Sequence, residues 1–235
     1  MALKTCNSEL DVNAKIQPPH YENIYNNMRH VVYMVKVVKR DDTKIFTGFC
    51  VEKNGYILTS AFHLNMASKV YVRGLNDDRY IMAQLRKICS DSRIALLKIN
   101  RQCDYAYIGD NIGLHAGLDV FGITHPDDLP FTFMAGKLTT RFESYNKNME
   151  GLGHLGQYKR SCHDAIDLLC INGFQSDLEN LHSIGCPVFN SKGLVIGMIV
   201  SSHKGLDYVV PAVWLSRIKD SINQLSSQAS GSRQQ

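Results

Sequence analysis

The sequence predicts an all-β chain closed by one C-terminal helix, and three observations carry that reading. About twelve short runs are apolar or alternate apolar with polar, and they fall into two series of about six. Turn signals punctuate them, Asn54-Gly55 and Ser191-Lys192-Gly193 being the sharpest. After Pro211, residues Val213, Leu215, Ile218, Ile222 and Leu225 recur at helical spacing. On pattern alone, two small closed barrels and a β-sandwich fit equally well.

In chain order, residues 1–28 are polar, contain Pro18-Pro19, and read as an arm or irregular lead-in. The first series is Val31–Val38, Lys44–Val51, Tyr56–Leu58, Lys69–Arg73, Tyr80–Ile88 and Ile94–Ile99. The charged turn Lys39-Arg40-Asp41-Asp42 joins the first two runs, and Asn54-Gly55 marks a hairpin after the second. The second series is Leu118–Ile123, Phe131–Thr139, Ile166–Ile171, Pro187–Asn190, Leu194–Val200 and Tyr208–Val210. Residues 141–164 between them are polar and loop-like. A helix is expected over 212–225, and the polar end 226–235 has nothing to bury and is expected to be disordered.

Length and charge exclude several functions. A chain of 235 residues can bury a real core, as one large all-β domain or two small ones. The net charge of +4 is spread out, and the densest cluster, Lys36, Lys39 and Arg40, reads as a strand end in water, so no nucleic-acid partner is expected. No stretch approaches the ~18 apolar residues of a membrane span, so no membrane partner is expected. The cysteines number seven, an odd count without a CxxC pair, which reads as reduced and mostly buried thiols. The first residues lack an apolar signal core and include Glu9 and Asp11, so a cytoplasmic or nuclear location is expected. No cofactor is expected.

The stretch Leu181 to Val200 organises the chain: a turn at Gly185-Cys186-Pro187, a strand, a second turn, and a buried strand. Upstream stand Thr47-Gly48-Phe49-Cys50-Val51 with Asn54-Gly55-Tyr56-Ile57-Leu58-Thr59, then Ser90-Asp91-Ser92-Arg93-Ile94-Ala95-Leu96-Leu97-Lys98-Ile99. Tyr107-Ile108-Gly109-Asp110, Gly117 to Gly122, and the closing Gly205-Leu206-Asp207-Tyr208-Val209-Val210-Pro211 complete the set. Together, over roughly residues 45–220, these resemble trypsin-like serine proteases of the Deg/HtrA type. The resemblance implies a double β-barrel: barrel 1 over about 29–103, barrel 2 over about 104–211, and the helix 212–225, in one domain spanning 29–225. It implies a protease-type domain alone, without the PDZ domain that often follows.

The same alignment of motifs implies substituted chemistry. The histidine position is Phe62, the aspartate position is Arg93, and the serine position is Ile184. A serine hydroxyl attacks only when an imidazole takes its proton and a carboxylate orients that imidazole. Phe62 accepts no proton, Ile184 has no nucleophile, and Arg93 puts a cation where an anion is needed. Losing one triad member already costs ~10⁴ in rate. His182 stands where the family has an oxyanion-hole glycine, and a Cβ there makes that backbone geometry harder to reach. Phe62 and Ile184 are expected to face each other across the old cleft and bury apolar surface, with Arg93 finding Asp91 or solvent. The expected function is that of an inactive homologue, a pseudoprotease, binding a protein or extended peptide in the old cleft.

The alternative is an active endopeptidase with a displaced set, His63, Asp91 and Ser183, or with Cys186 as nucleophile. A slip of one residue moves a side chain ~3.5 Å along a strand and turns it to the other face, whereas general-base work needs contact within ~3 Å. Other motifs read structurally. His154, Cys162, His163 and Cys170 fit no closed zinc spacing. The literal G-x-G-x-x-G at Gly151 to Gly156 has no strand before it and reads as a loop. Trp214 reads as a packing residue. By analogy with Deg-type trimers, Tyr21, Tyr25 and Tyr33 are candidates for an oligomer contact, in a homo-oligomer or with related Deg-type subunits.

Overall fold

The structure, a computed structural model, describes residues 20–39, 43–62, 64, 69–90, 92–126, 129–141, 167–174, 183–203 and 205–231. It begins with helix α1, His20–Met28. Six strands follow: β1 Val32–Val38, β2 Thr43–Glu52, β3 Tyr56–Ser60, β4 Lys69–Gly74, β5 Ile81–Cys89 and β6 Ile94–Lys98. Six more come after residue 118: β7 Asp119–Thr124, β8 Thr132–Arg141, β9 Leu169–Asn172, β10 Pro187–Phe189, β11 Val195–His203 and β12 Leu206–Pro211. Helix α2, Ala212–Gly231, ends the described chain.

Each series closes on itself. The first barrel runs β1-β2-β3-β6-β5-β4 and the second β10-β11-β12-β9-β8-β7, every ladder antiparallel. Closure decides between the two architectures the strand pattern allowed, since a sandwich keeps open edges and a barrel has none.

Strands that are buried on both faces explain the continuous apolar runs. Alternate residues of β1–β6, among them Val35, Ile57, Val72 and Leu97, fill the first barrel. The residues between them, such as Val32, Phe49, Leu58 and Leu96, join Phe121, Phe189, Met198 and Val210 in one cluster that spans both barrels. Val120, Leu169, Val188, Ile196 and Val209 fill the second barrel. Leu215, Ile218 and Ile222 of α2 dock into the shared cluster, and Lys219 reaches Glu52 of β2 at 3.3 Å. The helix thus ties the end of the second barrel to the first.

Two turns form as their residues dictate. Gly55 takes φ 87° in the loop between β2 and β3, and its N–H donates to Glu52 at 2.9 Å. In the turn after β10, Asn190 Oδ1 accepts from Lys192 and Leu194 N–H at 2.9 and 3.0 Å.

Two boundaries differ from expectation. Part of the expected irregular lead-in is helical, because Tyr21, Ile24, Tyr25 and Met28 share one face. Ile24 is buried in the shared core, and Tyr21 lies 5.3 Å from the Phe121 ring. Helix α2 runs to Gly231, past Leu225 and into the segment expected to be disordered. Once a helix is docked, each added residue gains a backbone hydrogen bond with no new nucleation cost.

Candidate functional site

The organising turn sits at the seam between the barrels. Ile184 accepts the Thr47 N–H at 3.0 Å, so β2 of the first barrel bonds directly to this turn. Thr59 Oγ1 donates to the Thr47 carbonyl at 2.6 Å. Gly185 follows at φ 82°, and a Cβ there would overlap the same Thr47 carbonyl oxygen. The glycine of the Gly-Cys-Pro frame is therefore required twice, by its left-handed backbone and by the close approach of β2.

Ile184, expected at the nucleophile position, is 2% exposed and belongs to the apolar cluster of the second barrel with Val120, Leu138 and Leu169. The neighbouring hydroxyl, Ser183, is also buried, and its Oγ donates to Asp207 Oδ1 at 3.4 Å. Ser202 donates to the same oxygen from the paired strand, being the register partner of Asp207. Asp207 is fully buried opposite Ile171, on the interior face of the second barrel. A carboxyl group inside an apolar barrel is costly unless donors reach it, and Ser183 and Ser202 bring two hydroxyls to its Oδ1.

Phe62 is half-buried just after β3, its N–H on Ser60 Oγ at 3.2 Å. Among the described residues it is not one of those packed against the Ile184 cluster. Ile184 itself is buried in the second barrel. Arg93, expected at the aspartate position, is 7% exposed and takes φ 56°. Its carbonyl accepts the Ala61 N–H at 2.8 Å, which fixes the Phe62 segment to the start of β6. His63, Asp91 and His182 lie outside the described residues, as do His154, Cys162, His163 and the glycine loop at 151–156.

Cys186, the alternative nucleophile, is wholly buried. Its Sγ approaches the Ile123 and Pro187 carbonyls at 3.4 and 3.2 Å, and burial pushes its thiol far above the ordinary range. Cys170 is buried in the shared core, and burial raises its thiol as well. Among the described residues no group of His, Cys, Asp and Glu gathers to hold a metal. His125 is buried too: Nδ1 accepts the Phe131 N–H at 3.0 Å, so in the neutral ring the proton sits on Nε2.

Trp214 packs against the shared core, with the Arg217 guanidinium 4.6 Å from its ring centroid. Tyr33 is 3% exposed inside the first barrel, which removes it from the oligomer-contact candidates. Tyr21 is 46% exposed and Tyr25 edges onto Phe133 at 6.0 Å.

Sequence reasoning singled out Ser183 but missed its partner. Asp207 lay in plain view within Gly205 to Pro211, where an acid between Leu206 and Tyr208 on a strand with both faces buried is the signal to follow.

Comparison with known proteins adds the family. The trypsin-like peptidase domain matches residues 46–198. No curated protein matches the chain. Among solved structures, an HtrA-type protease determined with a tripeptide superposes with a TM-score of 0.66 at 19% identity, covering 86% of this chain and 63% of its own. A serine endoprotease from Yersinia pestis gives 0.67 at 20% identity, covering 86% and 65%. The chain spans less than two thirds of the length of these relatives. Their likeness is one of fold.

Proposed function

Because the chain belongs to the family of trypsin-like peptidase domains, with the double barrel of HtrA-type proteases, we propose that it is a non-catalytic member that binds extended peptide or protein. One observation carries the reading. At the nucleophile turn, Ile184 is sealed in the second barrel and the adjacent Ser183 hydroxyl is committed to the buried Asp207.

The substituted positions support it further. Activation of a serine needs a base and an oriented partner, and the family positions for these hold Phe62 and Arg93. The left-handed backbone at Arg93 and its bond to Ala61 give that residue a structural task in shaping the turn into β6. With the scaffold kept, a strand edge beside the cleft still offers main-chain hydrogen bonds to an extended peptide. A related double barrel is known with a tripeptide, which supports a peptide as the ligand class. Assembly with a second copy, or with a related active subunit, is the other form such binding takes. The exposed Tyr21 on α1 is the residue we propose for that contact.

The test is a titration of purified protein with an unfolded polypeptide, following binding by anisotropy and cleavage by mass in one tube. Saturable binding with intact substrate is the expected result. Cleavage products that scale with time overturn the reading, and absence of both binding and cleavage rejects the peptide ligand.

A further inference from the structure

From the outer wall of the first barrel, we infer that the β1–β4–β5 face docks an acidic segment of a partner protein, extended along β4, with an apolar residue between two carboxylates.

Register builds the face. Val35, Val37, Val70, Val72 and Ala83 fill the first barrel, so the residues between them on these strands face outward. Lys36 of β1 stands opposite Tyr71 of β4, and Tyr71 stands opposite Met82 of β5. Lys69 and Arg73 lie two residues either side of Tyr71 on β4, which makes them diagonal neighbours of both Lys36 and Met82. The pattern is a cross: a half-buried tyrosine at the centre, Lys36 and Met82 on its flanks, and a cation at each end. Met82 is 66% exposed, and Lys69 is exposed as well. Helix α2 bounds the face beyond β5, where Lys87 Nζ donates to Ser221 Oγ at 3.3 Å.

The charge is one-sided. Strands β1, β4 and β5 carry Lys36, Lys69, Arg73, Arg86 and Lys87 and no Asp or Glu. Among the described residues, Lys36, Lys69 and Arg73 meet no carboxylate at ion-pair distance. Lys36 Nζ and the Arg73 guanidinium sit instead 5.3 and 5.5 Å from the Tyr80 ring centroid. Asp77, the acid nearest Arg73 in the chain, is held by Arg101 at 2.5 and 2.8 Å. The second barrel treats a sheet cation differently: Lys137 of β8 lies 2.5 Å from its register partner Asp119 of β7. Cations gathered without acids between them repel one another, and an acidic partner relieves that repulsion.

Spacing chooses the occupant. Lys69 and Arg73 are four residues apart on one strand, a span of ~13 Å. An extended segment laid along β4 has the same repeat. Acids at its first and fifth positions meet the two cations, while its third residue lies on Tyr71 and Met82. A nucleic-acid strand uses the face poorly. The Tyr80 ring already carries two cations and is closed to a base, and phosphates leave Met82 without an apolar partner. The face shares no residue with the seam at Thr47, Ile184 and Gly185, so this docking is separate from peptide binding in the cleft.

The experiment follows the anisotropy of a labelled peptide, Ser-Glu-Ser-Leu-Ser-Glu-Ser, titrated with the full chain at ~50 mM salt. The expected result is saturable binding that weakens as salt rises to ~300 mM. Lys69→Glu should weaken it about tenfold, and Met82→Ser about threefold. Both side chains are exposed, so unchanged urea midpoints show that the variants fold. A peptide with one Glu changed to Lys should recover most of the loss on Lys69→Glu, which a merely structural role for Lys69 would not produce. No binding, binding indifferent to Lys69→Glu, or tighter binding of an oligothymidylate of equal charge overturns the proposal. None of these outcomes bears on the unfolded-polypeptide titration that tests the cleft.

Discussion

The hydroxyl of Ser183 lies 3.4 Å from Oδ1 of Asp207, inside the second barrel and one residue before the nucleophile position. The contact gives the serine a structural task. Ser183→Ala should cost about 1 kcal/mol of stability, the worth of one hydrogen bond to an oxygen that keeps its second donor. Asp207→Ala should cost more, about 3 kcal/mol, because it strands two buried hydroxyls. Urea unfolding of the two variants checks the ranking.

Restoring the nucleophile alone should restore nothing. Ile184→Ser puts a hydroxyl in a barrel core among Val120, Leu138 and Leu169, and no imidazole stands at the Phe62 position to accept its proton. The variant should lose about 2–4 kcal/mol of stability and show no gain in peptide hydrolysis. A rise in turnover above wild type would refute this.

The seam between the barrels makes its own prediction. Gly185→Ala meets both a left-handed backbone and the Thr47 carbonyl, so it should destabilise the fold by about 3 kcal/mol or more. Gly113 also has positive φ, 73°, but a Cβ there meets open space. Gly113→Ala should cost only about 1 kcal/mol, from backbone strain alone. Comparing the two midpoints separates collision from conformation.

A pH effect is expected at the first barrel. The Arg101 guanidinium beside Asp77 holds its carboxyl below the usual carboxylate value of 3.8. A depressed folded pKa adds stability that is present above that unfolded value and is lost as pH falls through the folded one. Asp77→Asn should therefore remove about 1 kcal/mol at pH 7 and flatten part of the stability loss below 3.8. Stability measured by urea across that range checks both the size and the sign.

Much of the fold was legible in the letters. Several strands were readable because both of their faces are buried, one in a barrel and one between barrels, which leaves long apolar runs such as Val195 to Val200. Helix α1 was readable in principle, since Tyr21, Ile24, Tyr25 and Met28 recur at helical spacing. The other five of its nine residues are polar, and they hid it. The positions expected to be substituted stood out because the motif frames around them are legible in the sequence. Their packing was not. Ile184 packs into the second barrel, and the Ser183 partner lies on another strand, 24 residues away. Contacts of that kind depend on register and barrel closure, which a linear pattern does not encode.

The most direct measurement is labelling of the purified chain with a fluorophosphonate serine probe, alongside an active trypsin-like protease. The account predicts no covalent adduct at any serine under conditions that fully label the control. An adduct on Ser183, lost in Ser183→Ala and accompanied by peptide turnover, would contradict it.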